Sequence, residues 1–226
     1  MREVAEGVLE LRMGFVNLHF VVTDDGVVLV DTGLPGRAPK VLRALSEARG
    51  TTGDITTILV THQHMDHVGG LAELKRASGA RVVAHELDAP VITGAAQPRL
   101  SPVQRVAGLL VKDPEPAPVD ELLTGDGPVP VPVPGMRAFH TPGHTPGHVS
   151  YLLDRGGGIL FTGDAAGSGG GSVRATPKAM TDDLAAARAS VARLATLDFD
   201  VAVFGHGSAV RGNAVDRFRA LADRQR

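Results

Sequence analysis

An apolar run, ITTILV at residues 55 to 60, passes without a spacer into THQHMDHVGG. A short run this apolar and β-branched is a strand buried on both faces. Whatever fold the chain adopts must therefore cover both sides of that strand. It must also open the strand's end onto a polar cleft, because three histidines and an aspartate emerge there within six positions. A lone histidine is usually structural, but this count and spacing point to metal chemistry. On extended backbone His62 and His64 face the same side, and Asp66 continues that face. His67 falls where the chain should turn into a helix, so its side chain is re-aimed. One loop can thus offer ligands to two neighbouring metal positions. The nitrogen and oxygen donors suit Zn²⁺, and also Fe or Mn. Gly69 and Gly70 let a helix pack closely behind.

The rest of the chain supplies layers around such a strand. Short β-rich runs, GVLELRM, FVNLHFVV and VVLVD, open it, with a hairpin signal at Asp24-Asp25-Gly26. Helical spacing follows from about Pro39 to Arg49, with Ala38, Val41, Leu42, Leu45 and Ala48 on one stripe and Gly50 as its stop. After the histidine cluster come a helix from His67 to Ser78 and a strand at 81 to 85. An irregular, partly helical stretch from about Ala89 to Val119 then ends in DPEPAPVD. Strands are expected at 136 to 140, 148 to 154, 158 to 164 and 200 to 204. Between the last two lie a Gly/Ser-rich loop, AGSGGGS, and a helix from Thr181 to Leu197, capped by Thr181, with Leu184, Ala187, Val191 and Leu194 on one face. A final helix from Asn213 to Arg224 buries Val215, Phe218 and Leu221. Each half runs strands, helix, strand, which favours two sheets packed together with helices outside.

Composition removes several functions. A formal net charge of −2 offers no field for a nucleic-acid backbone. The absence of cysteine excludes disulfides, thiolate nucleophiles and Cys-ligated zinc. MREVAEGVLELRMG lacks a long apolar core, so no signal peptide is expected, and no stretch approaches the length of a transmembrane helix. The expectation is a cytoplasmic protein acting on a small molecule, with no nucleic-acid or membrane partner and with a homodimer as a possible assembly.

Further ligands must come from elsewhere. HTPGHTPGH at 140 to 148 spaces His140, His144 and His148 by four, but its prolines and glycines exclude a helix. His144 then sits at the apex of a loop between two strands. FTGD ends a buried strand with Asp164, and FGHG ends another with His206. Taken singly, Asp164 also reads as a turn cap and His206 as an exposed loop histidine. His140 and His148 read as braces for the loop, His19 as a strand-face residue, His85 as structural or rim, and Tyr151 as core.

Together THQHMDH, TPGHTPGH, FTGD and FGHG resemble the metallo-β-lactamase superfamily, in the order and spacing of its glyoxalase II-like hydrolases. The resemblance implies an α+β fold, a four-layer αβ/βα sandwich of two mixed β-sheets with outer helices. It implies one domain over 1–226, with about 89–134 as a variable lid or cleft wall. By motif position, His62, His64 and His144 would hold one metal, and Asp66, His67 and His206 a second. Asp164 and a hydroxide would bridge two divalent ions, Zn²⁺ with Fe or Mn as alternatives. Asp31 in VLVDTG resembles the family's aspartate behind the ligand loop, and also reads as a plain turn aspartate. Asp66 would orient the nucleophile.

The implied activity is metal-dependent hydrolysis of a small ester, thioester or lactone. Asp164 and the lack of Cys argue against a β-lactamase site, and AAGSGGG after Asp164 lacks the tyrosine typical of lactonases. About twenty residues follow FGHG, too few for the helical extension with which glyoxalase II binds glutathione. The alternatives are a one-iron, persulfide dioxygenase-like oxidoreductase and a non-catalytic metal-binding relative. Arg99, Arg105 and Lys112 are candidates to meet an anionic substrate, or simply solvated surface.

Overall fold

The computed structural model describes residues 1–49, 55–102, 105, 112–131 and 133–226. Its first sheet has seven strands in sequence order: β1 (Arg2–Ala5), β2 (Val8–Met13), β3 (Val16–Thr23), β4 (Gly26–Val30), β5 (Ile55–Leu59), β6 (Arg81–His85) and β7 (Glu121–Leu123). β1 to β4 form an antiparallel meander, and β4, β5, β6 and β7 run parallel. The second sheet is ordered β15 (Val210–Arg211), β14 (Val201–Val203), β11 (Ile159–Phe161), β10 (Val149–Leu153), β9 (Met136–His140), β8 (Gly127–Pro128). There β11 and β14 are parallel and the remaining pairs antiparallel.

Alternation along the strands sorts side chains into three apolar layers. Val28 and Val30 of β4 face Tyr151 and Phe161 of the second sheet, and this inter-sheet core also takes in Leu59, Val149 and Val203. Val27 and Leu29, on the other side of β4, pack under α1 (Ala38–Arg49) and α3 (Leu71–Ser78) through Val41, Leu45, Leu71 and Leu74. Leu160 of β11 points to the opposite outside. There α5 (Leu184–Leu194) and α6 (Ala214–Gln225) contribute Val191, Leu194 and Phe218. The result is the four-layer αβ/βα sandwich of two mixed sheets.

Several expected elements shift. The helix expected over 67–78 is two, α2 (Met65–Val68) and α3, because the chain breaks at Gly69–Gly70. A Cβ on Gly69 would lie 2.3 Å from Pro35, and one on Gly70 2.7 Å from the Thr32 carbonyl, so the glycines admit the Thr32–Pro35 turn. Asp66 therefore sits on a helical turn rather than on an extended face. The cap of α5 is Asp183, not Thr181: its carboxylate accepts from the Ala185 and Ala186 N–H groups, and the helix ends at Leu194. Thr181 instead follows a 3₁₀ turn, Lys178–Met180. Leu184 is exposed. The AGSGGGS stretch forms part of a small hairpin, β12 (Gly167–Gly169) and β13 (Ser172–Arg174).

Within 89–134 lie α4 (Ala89–Ile92) and one edge strand of each sheet, β7 and β8, so part of this segment extends the two sheets. Residues 103, 104 and 106–111 of the expected partly helical stretch, and Gly50 as the stop of α1, lie outside the described residues. Among the described residues no helix is long and apolar enough to cross a membrane.

Candidate metal centre

Parallel strands end at one edge, and residues just past their C-termini converge there. Asp31 follows β4, the 61–67 loop follows β5, Asp164 follows β11 and His206 follows β14, while His144 comes from the loop joining β9 to β10. His62, His64 and His144 form one group. The Nδ1 of His64 lies 3.1 Å from Nε2 of His62 and 2.9 Å from Nε2 of His144. Asp66, His67 and His206 form a second: His206 Nε2 is 3.3 Å from Asp66 Oδ2 and 3.4 Å from His67 Nε2. Asp164 stands between them, Oδ2 3.4 Å from His144 Nε2 and 3.2 Å from His206 Nε2, and Oδ1 3.6 Å from His67 Nε2. All seven expected ligands are thus brought together.

The surroundings fix which ring nitrogen faces inward. His67 donates from Nδ1 to Asp31 Oδ2 at 2.8 Å, and His206 donates from Nδ1 to the Phe15 carbonyl at 2.9 Å. His62 Nδ1 lies 3.0 Å from Thr61 Oγ1, which itself donates to Asp31 Oδ2. In each ring Nε2 is left for the centre. Asp31 sits at φ 61°, a left-handed conformation that aspartate tolerates better than most residues. That twist aims its carboxylate at the Thr61 N–H, the Thr61 hydroxyl and His67 together.

The charges divide. Burial, then the neighbouring His67, His144 and His64 rings, hold His62 far below the usual imidazole range. Burial and His144 take His64 down to about 3. For His67 burial opposes the charge, but Asp31, Asp164 and Asp66 outweigh it and raise the ring to about 9. Burial likewise opposes the charge on His206, and hydrogen bonds to Asp164 and Asp66 carry it to about 11. Asp164 resists burial in the same way and is held below the usual carboxylate range by His67 and His206.

This donor set fits divalent metal ions. Each group of three offers ligand atoms within 4.8 Å of one another, and so do His62, His67 and Asp164. In the first group ring nitrogens of three histidines face each other at about hydrogen-bond distance, an arrangement a shared cation stabilises. Asp164 Oδ1 is buried with no hydrogen-bond partner among the described residues. A Cβ on Gly205 would lie 2.4 Å from that oxygen and 2.6 Å from His67, so the FGHG loop closes on the centre only through glycine.

Other residues hold the frame. His148 accepts from the Asp164 N–H at Nε2 and pairs with Thr141 through Nδ1, and His140 donates to the Pro146 carbonyl. His85 stacks on His140 with centroids 4.1 Å apart. His19 pairs with Glu10 at 3.5 Å, and Tyr151 is buried with its hydroxyl donating to Val60. Arg105 donates to the Leu100 carbonyl, while Arg99 and Lys112 lie near enough to Asp182 and Glu115 to act on them through their charge. Three contributors escape a sequence reading. Asn17 donates from Nδ2 to the Phe204 and Gly207 carbonyls, clamping the His206 loop. Phe15 stacks on His206 at 5.6 Å. Asp88 accepts from the Gln63 N–H, the Thr145 hydroxyl and the Gly147 N–H. A polar residue just past a buried strand is the only sequence signal Asp88 carries.

Comparison with known proteins agrees with this geometry. The family model for the metallo-β-lactamase superfamily matches residues 11–206. A probable metallo-hydrolase of Bacillus subtilis, YflN, is 28% identical over 93% of this chain and 87% of its own length. A hydroxyacylglutathione hydrolase of Rhodopseudomonas palustris is 34% identical over 61% of this chain, but the match spans only 44% of that enzyme. A metallo-β-lactamase of Cronobacter sakazakii with a HARLDQ motif superposes with a TM-score of 0.71 at 27% identity, covering 91% of this chain and 80% of that one. BJP-1, a subclass B3 metallo-β-lactamase of Bradyrhizobium japonicum, shares the fold with a TM-score of 0.70 at 22% identity over 96% of this chain and 89% of its own. With the layers and the converging edge in agreement, the chain belongs to the metallo-β-lactamase superfamily.

Proposed function

We propose that the protein holds two divalent ions, Zn²⁺ with Fe or Mn as alternatives, and hydrolyses a small ester, thioester or lactone. His62, His64 and His144 would hold one ion, and Asp66, His67 and His206 the other. The observation that carries this reading is Asp164, one carboxylate within 3.6 Å of ring nitrogens from both groups. Ions bound there would supply Lewis acidity toward the substrate oxygen and hydroxide at neutral pH.

The chain's own residues do the remaining work. Asp31 keeps Nδ1 of His67 occupied, so Nε2 is the atom presented. Asn17 and the Phe15 carbonyl do the same for the loop and ring of His206. Asp66 is the most open carboxylate of the centre, its side chain 19% exposed. It is the group best suited to orient the attacking water and to pass a proton from Oδ2 to the leaving oxygen or sulfur. The buried histidines around it keep the local dielectric low, which strengthens each of these interactions.

The thioester arm of this proposal draws on the hydroxyacylglutathione hydrolase relatives, which are longer than this chain. The test is metal quantification on purified protein, followed by a panel of esters, thioesters, lactones, β-lactams and phosphodiesters with the metal found. Two ions per chain and turnover within the first three classes are expected. One iron per chain with oxygen uptake would overturn the hydrolase, and preference for a β-lactam would overturn the substrate class.

A further inference from the structure

Two buried carboxylates stand behind the centre, and they grip it differently. Asp31 binds His67 of the second group directly and reaches His62 of the first through the Thr61 hydroxyl. Asp88 touches the loops of the first group. Its Oδ2 accepts from the Gln63 N–H at 3.0 Å and from Thr145 Oγ1 at 2.7 Å, and its Oδ1 from the Gly147 N–H at 2.8 Å. Gln63 lies between His62 and His64, while Thr145 and Gly147 follow His144 on its loop. One carboxylate therefore ties together the two loops that deliver the three histidines of the first group.

Two features show that this tie is specific. Asp88 occupies the N-cap of α4, where an aspartate ordinarily bonds the helix's own N–H groups, yet its side chain makes no cap bond. The carboxylate is turned to the loops instead, and the residue is 1% exposed. The His144 loop also comes so close that a Cβ on Gly147 would lie 2.6 Å from the Asp88 nitrogen and 2.7 Å from its Oδ1. Two of the three donors are backbone N–H groups, so the bonds set where the loops run, not merely how a side chain turns.

We infer that Asp88 is a positioning residue which fixes the distance between the His62–His64 pair and His144, and so sets metal affinity at that position alone. The inference rests on the two-ion reading above. Outer hydrogen-bond partners of metal ligands typically change affinity by about 10- to 100-fold when removed.

The test is equilibrium dialysis against Zn²⁺ of the full chain and its variants, with melting of the metal-free proteins alongside. Asp66→Ala should keep one tightly held ion, at the three histidines. Adding Asp88→Asn to Asp66→Ala should weaken that remaining ion about 10- to 100-fold. Asp88→Asn alone should keep one ion tight and loosen the other. Thr145→Val removes one of the three donors and leaves the carboxylate two, so it should weaken the same ion by a smaller factor while folding normally. It carries the test if Asp88→Asn does not fold. Wild-type affinity for both ions in Thr145→Val and in any folded Asp88→Asn, with only the melting temperature lowered, would overturn the inference and leave Asp88 a scaffold residue. Weakening of both ions equally would overturn it too. Failure of the wild-type protein to bind two ions would instead sink the two-ion reading.

Discussion

The three-histidine group and the Asp66–His67–His206 group sit on either side of one carboxylate, yet they are built on opposite principles. The first is buried and neutral: His62 is 1% exposed, and burial with ring–ring repulsion keeps His62, His64 and His144 from protonating. The second is charged and more open, with the His206 side chain 32% exposed. Burial would discharge His67 and His206, but Asp31, Asp66 and Asp164 hold their protons in place. Neutral imidazoles offer lone pairs with nothing to displace. Imidazoliums beside carboxylates are already satisfied as ion pairs. Two positions joined by one carboxylate can therefore differ in how they take up a cation.

The largest effect belongs to the residue both groups share. Asp164→Asn should lower occupancy at both positions and cut kcat/KM by about 10³-fold or more, on the order of 4 kcal/mol. Metal content and initial rates check it. Full occupancy in that variant would mean that the groups do not depend on a common carboxylate.

Asp66→Ala should separate the two groups. The three-histidine position should retain its ion, while hydrolysis falls by about 10² to 10³-fold, because the orienting carboxylate and one ligand of the second group are lost together. The fold should survive, since Asp66 lies on the short helix α2 and is not fully buried. Wild-type rates on a good substrate would remove Asp66 from the chemistry.

A third prediction uses the metal-free protein, where the proton balance is exposed. His67 is raised to about 9, so its contribution to stability is present below the ordinary value near 6.5 and is lost as pH rises through about 9. His64 is lowered to about 3, so its contribution is present above about 6.5 and is lost as pH falls toward 3. Melting temperature should thus decline on both sides, by a few degrees for each kcal/mol in a chain of this size. His67→Gln should flatten the alkaline limb and His64→Gln the acid limb. If both variants flatten the same limb, the contrast between the groups is wrong.

How much of this is legible in sequence follows from how local each signal is. The three layers are, because Val28/Val30 and Val27/Leu29 alternate along one strand and each face has its own core. The candidate ligands are, because HQHMDH is contiguous and Asp164 and His206 each stand at the end of an apolar run. Asp88 is not: its donors lie 25, 57 and 59 residues away, and two of them are backbone groups that any residue could supply. The cap of α5 is ambiguous for a local reason, since Thr181, Asp182 and Asp183 all suit an N-cap. The ambiguity is settled by tertiary bonds, with the Asp182 and Asp183 N–H groups donating to the His144 and Gly143 carbonyls. The β12–β13 hairpin escapes because glycine and serine carry no hydrophobic alternation.

The smallest effect concerns the rim. Phe15 is 59% exposed, and its ring stacks on His206 at an interplanar angle of 18°. The bond that orients His206 comes from the Phe15 carbonyl, not the ring, so Phe15→Ala should keep it. What is lost is an aromatic contact worth about 0.5–1.5 kcal/mol, partly solvated here. Melting temperature should fall by about 2–4 °C at most, and affinity at the second position by no more than about threefold, read by calorimetry and dialysis. The first group, whose rings are buried and, among the described residues, reached by no such exposed aromatic, should not change. A larger loss at the second position would mean that its ion pairs are not self-sufficient and that the stacked ring, rather than the carboxylates, keeps His206 in place. Loss at the three-histidine position would mean that the two groups are one coupled unit across Asp164.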